Sequence, residues 1–144
     1  MPKSTSTSNN ILALIFNATA WADIAENDTS SPNTNLYVSL HTADPGVGNN
    51  QTTSETAYTN NTRVAVARTT GGWTAPSSGA TSNAALIQFP QCGASGATLT
   101  YVAIGTASSG AGTVLYAGAL NASLAVSNLI QPQFAIAALS VTES

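Results

Sequence analysis

The single histidine of the chain, His41, lies in "LYVSLHTADPG" (Leu36 to Gly46), and Asp44 follows three residues behind it. A histidine beside a carboxylate is raw material for general acid–base chemistry, and with a serine it makes a hydrolytic triad. A triad also needs a nucleophile presented on an elbow such as G-x-S-x-G, and an oxyanion hole. No serine of this chain stands in that pattern. A zinc centre needs several His, Cys or grouped carboxylate ligands, and one histidine with one cysteine, Cys92, is too few. The stretch also reads completely as structure. Leu36, Val38 and Leu40 alternate with Tyr37, Ser39 and His41, as in a half-buried strand. "ADPG" then supplies a turn in which Asp44 accepts from nearby backbone N–H groups. The expectation is a hydrogen-bonded His41 at a strand end, with no catalytic residue, no metal and no cofactor.

Other motifs with chemical potential are weaker. Gly71 and Gly72, "GASGA" (Gly93 to Ala97) and "ASSGAG" (Ala107 to Gly112) are glycine-rich, but none opens a helix or carries a phosphate-binding lysine. Asn17, Asn27, Asn50, Asn60 and Asn121 begin N-x-S/T triplets, which a chain this rich in Asn, Ser and Thr contains by composition alone. Arg63 and Arg68 bracket one strand. They read either as solvated strand ends or as contacts to an acidic partner. Tyr58 and Trp73 flank the same strand and read as core aromatics or as interface anchors. Trp73, Tyr58, Arg63 and Arg68 are therefore the candidate interface residues.

These side chains must be positioned by a chain of 144 residues, the size of one ordinary domain. Apolar residues make up 43% and charged residues 6%, against about a quarter charged in soluble domains generally. So few charges protect poorly against association, which suits a chain that lives inside an assembly. Recurring Val, Ile, Leu and Tyr clusters argue against disorder. Three basic side chains, Lys3, Arg63 and Arg68, leave nothing to hold a nucleic acid. A lone Cys92 forms no intrachain disulfide and reads as a small inert side chain. "ILALIF" is too short to span a membrane, and as a signal peptide it lacks a charged region beyond Lys3.

The element pattern is all-β after one helix. Residues 1–9 read as a polar N-terminal arm. Ser8, Asn9 or Asn10 then caps a helix over about 10–26, with Ile11, Leu14, Ile15 and Ala18 on one face and Asp23, Glu26 and Asp28 at a frayed acidic end. "LYVSLH", "RVAVAR", "AALIQFP", "TLTYVAIG", "TVLYAG", "ALNASLAV" and "FAIAALSV" follow as strands separated by Gly, Pro, Asn and Ser. Residues 10–144 are thus expected to form a single antiparallel β-sandwich, jelly-roll or immunoglobulin-like, of about seven strands behind an N-terminal helix. The segment Thr42 to Thr62 has no hydrophobic period, and a loop that long is more often functional than idle. Alanines around Phe134, Ile136 and Leu139 suit close sheet packing or a neighbouring subunit.

"LYVSLHTADPG", "QTTSETAYTNNTRVAVAR", "GGW", "IQFP", "YVAIGTASSGAGTVLYAGAL" and "FAIAALSVTE", in that order, resemble a group of small tailed-bacteriophage virion proteins often labelled tail fibre proteins. The resemblance spans Leu36 to Glu143 and implies a non-enzymatic structural role in a phage particle assembled in the host cytoplasm. Because the chain lacks the repetitive shaft of a long fibre, the expectation is a capsid decoration or cement subunit, a homo-oligomer bound to the major capsid protein. A tail or tail-fibre component bound to a tail protein is the alternative, and a small carbohydrate-binding or hydrolytic module is the alternative outside structural roles. Neither nucleic acid nor membrane is an expected partner.

Overall fold

The structure, a computed structural model, describes residues 4–21, 25, 32–46 and 49–143. It is all-β with antiparallel sheets and one N-terminal helix, the expected class. The elements are α1 (Thr5–Phe16), β1 (Asn35–His41), β2 (Val64–Ala67), β3 (Ala80–Ser82), β4 (Ile87–Gln88), β5 (Ala97–Gly105), β6 (Val114–Val126), β7 (Gln133–Phe134) and β8 (Ser140–Thr142). They form a four-stranded sheet ordered β2-β1-β5-β6 and two two-stranded sheets, β3-β8 and β4-β7. Among the described residues no helix is long and apolar enough to cross a membrane. The chain divides into two compact units, Met1–Asn35 with Val66–Ile87 and Phe134–Ser144, and Leu36–Ala65 with Gln88–Gln133.

In the first unit, the helix corrects the sequence expectation at both ends. Ser4 is the N-cap, and the Thr7 N–H donates to its Oγ at 3.1 Å, so Thr5 to Asn9 are helical and not a free arm. The buried stripe is Ser8, Leu12 and Phe16, four residues apart, in place of the Ile11–Leu14–Ile15–Ala18 face. The helix stops at Phe16 because Ala18 takes a left-handed φ of 51° and the Thr19 N–H turns back to the Ala13 carbonyl. Asp23, Glu26 and Asp28 lie outside the described residues, as do Met1 to Lys3.

Phe16 packs edge-on to Trp73, ring centroids 4.7 Å apart, a geometry worth about 0.5–1.5 kcal/mol beyond the area it buries. Asn83 is fully buried and fully bonded. Its amide donates to the Ala85 and Ala135 carbonyls at 2.8 Å, and its Oδ1 accepts from the Leu139 N–H. That clamp explains why "FAIAALSV" is not one strand: the chain turns at Ile136 and Ala137, the latter at φ 62°, and resumes as β8 paired with β3. "AALIQFP" likewise shrinks to the two residues of β4.

In the second unit, β5 pairs antiparallel with β1 from Tyr37↔Gly105 to His41↔Tyr101, and with β6 on its other side. The expected strands "TVLYAG" and "ALNASLAV" are one element, β6, interrupted by a bulge. Ala119 pairs with Tyr101 and Leu124 with Leu99, so residues 120–123 have no opposite number. β1 is not half-buried. Val38, Ser39, Leu40 and His41 are all buried, because the segment after Thr42 folds back over the polar face of the strand.

Candidate functional site

The chemistry-bearing residues of the second unit collect where this returning segment meets β1 and the β5–β6 connection. Positions 39 and 41 share a face of β1, so Ser39 Oγ and His41 Nε2 come within 2.9 Å. On the other side of the ring, Nδ1 donates to the Thr53 carbonyl at 2.9 Å, which fixes the neutral tautomer and makes Nε2 an acceptor from the Ser39 hydroxyl. Serine, imidazole and an orienting oxygen are thus arranged in the order of a hydrolytic triad. Their burial decides against that role: His41 is 0% and Ser39 1% exposed, and no substrate carbonyl reaches the hydroxyl. Burial also pushes the imidazole below its usual pKa, against the raising influence of the Thr53 carbonyl and of Glu55. His41 is the expected hydrogen-bonded strand-end residue, while Ser39, its partner, went unrecognised in the sequence although the i, i+2 spacing announces it. Asp44 accepts from the Gly46 N–H at 2.8 Å, the expected turn.

Further along, Gln51 is 0% exposed. Its backbone N–H donates to the Gly112 carbonyl, its Oε1 accepts from the Ala107 N–H at 3.0 Å, and its Nε2 donates to the Tyr37 carbonyl at 3.3 Å. A Cβ at Gly105 or Gly112 would overlap the Gln51 amide, so those two glycines are the space this side chain occupies. Next comes Arg63, whose side chain is 2% exposed and grips Glu55 with two bonds of 2.7 Å. Two of its remaining N–H groups donate to the Ala107 and Gly110 carbonyls. The segment that reads as a polar loop is therefore bolted down at Gln51, Thr53 and Glu55.

An open cleft of about 530 Å³ lies above these fastenings, lined by residues 55–63 and by Ser108, Ser109 and Gly110. Its wall mixes polar and apolar surface in about equal parts, and of its residues Glu55 and Arg63 alone are charged. Tyr58 contributes to it but is 2% exposed, with its hydroxyl donating to the Pro90 carbonyl at 3.0 Å. Burial, with a smaller contribution from Cys92, pushes that phenol up to about 12. No aromatic face is left to stack on a ligand there. Among the described residues, no group of three or more His, Cys, Asp or Glu is placed to hold a metal ion.

The four candidate interface residues are divided between the units. Tyr58 and Arg63 belong to the cleft. Trp73 is 0% exposed in the first unit. Arg68, also there, donates to the Leu14 and Ile15 carbonyls at 2.6 Å and to the Asn33 carbonyl at 2.7 Å, which places a cation on the helix C-terminus. Burial lowers its pKa. Neither arginine is a solvated strand end, and all four side chains are engaged within the chain.

A family model described as podophage GP4 fiber I protein gp80 matches residues 2–142 of the chain. No curated protein matches it.

Proposed function

We propose, because the chain belongs to the podophage GP4 fiber I protein gp80 family, that it is a non-enzymatic structural subunit of a virion fibre, assembled on the particle in the host cytoplasm. The match over residues 2–142 carries this reading, since it takes in nearly the whole of these 144 residues. The site supports it. The pair with catalytic connectivity among the described residues, Ser39 and His41, is sealed from solvent and serves to fasten the returning segment to β1. The capsid-decoration role expected from the sequence has no comparable support and becomes the alternative outcome of the same test.

Quantitative mass spectrometry of purified particles separates the readings. A fibre subunit is present at a small fraction of the major capsid protein. Copy numbers comparable with the capsid protein mean decoration of the head, and absence from particles removes both structural readings. A hydrolytic activity of the purified chain that disappears in a folded His41→Ala variant contradicts the non-enzymatic part.

A further inference from the structure

In the cleft above Glu55 and Arg63 the charges are paired and neutral polar groups are left over. Arg63 gives four N–H bonds, two to the Glu55 carboxylate and one each to the Ala107 and Gly110 carbonyls. An ionic ligand therefore meets a cation and an anion already matched to each other. Thr62, Ser108 and Ser109 bring hydroxyl groups to the exposed part of the lining. Asn60 uses its Nδ2 on the Gln91 carbonyl, which leaves its Oδ1 able to accept.

Two buried atoms of the same lining are short of a partner. Thr56 is 3% exposed and its Oγ1 has no hydrogen-bond partner among the described residues, and Asn61 Oδ1 is likewise buried and unpartnered. Buried polar atoms left in this way are costly and call for a donor. Both belong to one small loop, in which Asn61 Nδ2 donates to the Thr56 carbonyl at 2.9 Å and the Asn61 N–H to the Tyr58 carbonyl. The loop is held at both ends, by the Thr56 N–H on the Leu40 carbonyl and by Arg63 on the turn at 107–110. Both residues line the cleft, so a turn of either side chain brings its oxygen to the cleft surface. Fixed walls with unsatisfied oxygens behind them suit a hydroxyl that arrives from outside.

We infer that this cleft binds a neutral sugar unit. A sugar is uncharged, its hydroxyls donate and accept, and C–H faces lie between them. It matches a lining of hydroxyls and amide oxygens mixed with a similar amount of apolar surface, in a cleft of about 530 Å³. An extended peptide is a poorer match, because it pairs with a row of free main-chain groups, and the Thr56, Thr59 and Asn61 N–H groups already donate within the chain. With Tyr58 buried there is no ring to stack on the sugar, so the affinity belongs in the millimolar range. The inference goes beyond the virion reading and does not rest on it, because it is tested on the purified chain.

Nuclear magnetic resonance on the isotope-labelled full chain tests it, with the methyl glycosides of glucose, galactose, mannose and N-acetylglucosamine added up to tens of millimolar. At least one should move the amides of residues 55–63 and 108–110 saturably and leave those of α1 in place. Glucuronate, whose carboxylate finds no unpaired cation in the cleft, should bind no better than the neutral sugars. Ser108→Ala with Ser109→Ala, both exposed, should weaken the binding about tenfold, as the loss of two hydrogen bonds does. Ser123→Ala, exposed on β6, should leave it unchanged. Saturable shifts confined to other residues, tighter binding of glucuronate, or binding that survives both serine changes in a folded chain overturns the inference. So does the absence of any sugar-dependent shift, the result expected if Thr56 and Asn61 meet only water.

Discussion

The segment from Gln51 to Arg63 and the strand β6 invert the usual relation between composition and burial. The first is polar and reads as a loose loop, yet Gln51, Thr56 and the Arg63 side chain are buried and the segment is fastened to β1 and the β5–β6 connection by side-chain hydrogen bonds. The second is apolar and reads as core, yet it lies at a sheet edge with Ala117 and Ala119 exposed. A chain with 6% charged residues has few charges for its surface, and here polar neutral groups fasten the inside while small apolar side chains lie at the surface. Burying a polar group is costly unless it is bonded, and Gln51, Asn83 and Arg63 each meet two or more partners, whereas Thr56 Oγ1, Asn61 Oδ1 and Trp73 Nε1 are buried with no hydrogen-bond partner among the described residues.

The comparison breaks first at Arg63. Arg63→Met removes two bonds to Glu55 and strands the Ala107 and Gly110 carbonyls, and should cost about 3 kcal/mol in urea unfolding, as for a buried pair deprived of one partner. A loss under about 1 kcal/mol means the segment is not held from this point. Gly105→Ala comes next, at about 1–3 kcal/mol, because its methyl group enters the space of the Gln51 amide. Gln51→Ala is costly alone but should make Gly105→Ala nearly harmless. A double-mutant cycle that is additive refutes their direct packing.

His41 sharpens the same contrast through pH. Its folded-state pKa lies below the usual 6.5, so above that value both folded and unfolded chains hold it neutral and it contributes no pH dependence. As pH falls through 6.5 the unfolded chain takes up the proton first, and stability drops by up to about 1.4 kcal/mol per pH unit until the folded pKa is reached. Unfolding free energies between pH 7 and 5 should show this fall in the wild type and lose it in His41→Gln. The smallest effect is expected at β6. Ala117→Lys with Ala119→Lys, both at exposed positions, should change the stability of the chain by no more than about 0.5 kcal/mol. A larger loss would mean that β6 is part of the core.

Much of the class was legible, because alternation in β1 and the glycine-rich turns are local signals. The helix was legible as an element but not in its bounds. "STSTS" has weak helix propensity, and its inclusion depends on distant groups such as the Gly79 N–H bonded to Asn9; the stop at Phe16 likewise depends on Arg68 holding the Leu14 and Ile15 carbonyls. The bulge in β6 carries no glycine or proline to mark it. Of the site, His41 and the Asp44 turn could be read, since strand period and turn chemistry fix them. The pinning of Gln51 could not, because its cradle of Gly105 and Gly112 lies more than fifty residues away, and by themselves Gly105 reads as the end of a strand and Gly112 as a turn residue. Arg63 read as a strand end, since nothing in spacing tells a solvated arginine from one turned back on the Glu55 carboxylate.

The most direct test of the structural role is where the chain sits on the particle. Gold-labelled antibody against the purified chain, viewed on intact virions by electron microscopy, should mark the fibres at the tail end of the particle and leave the head bare. Gold spread over the head, or particles that bind none while the antibody still recognises the denatured virion proteins poorly or not at all, would contradict it.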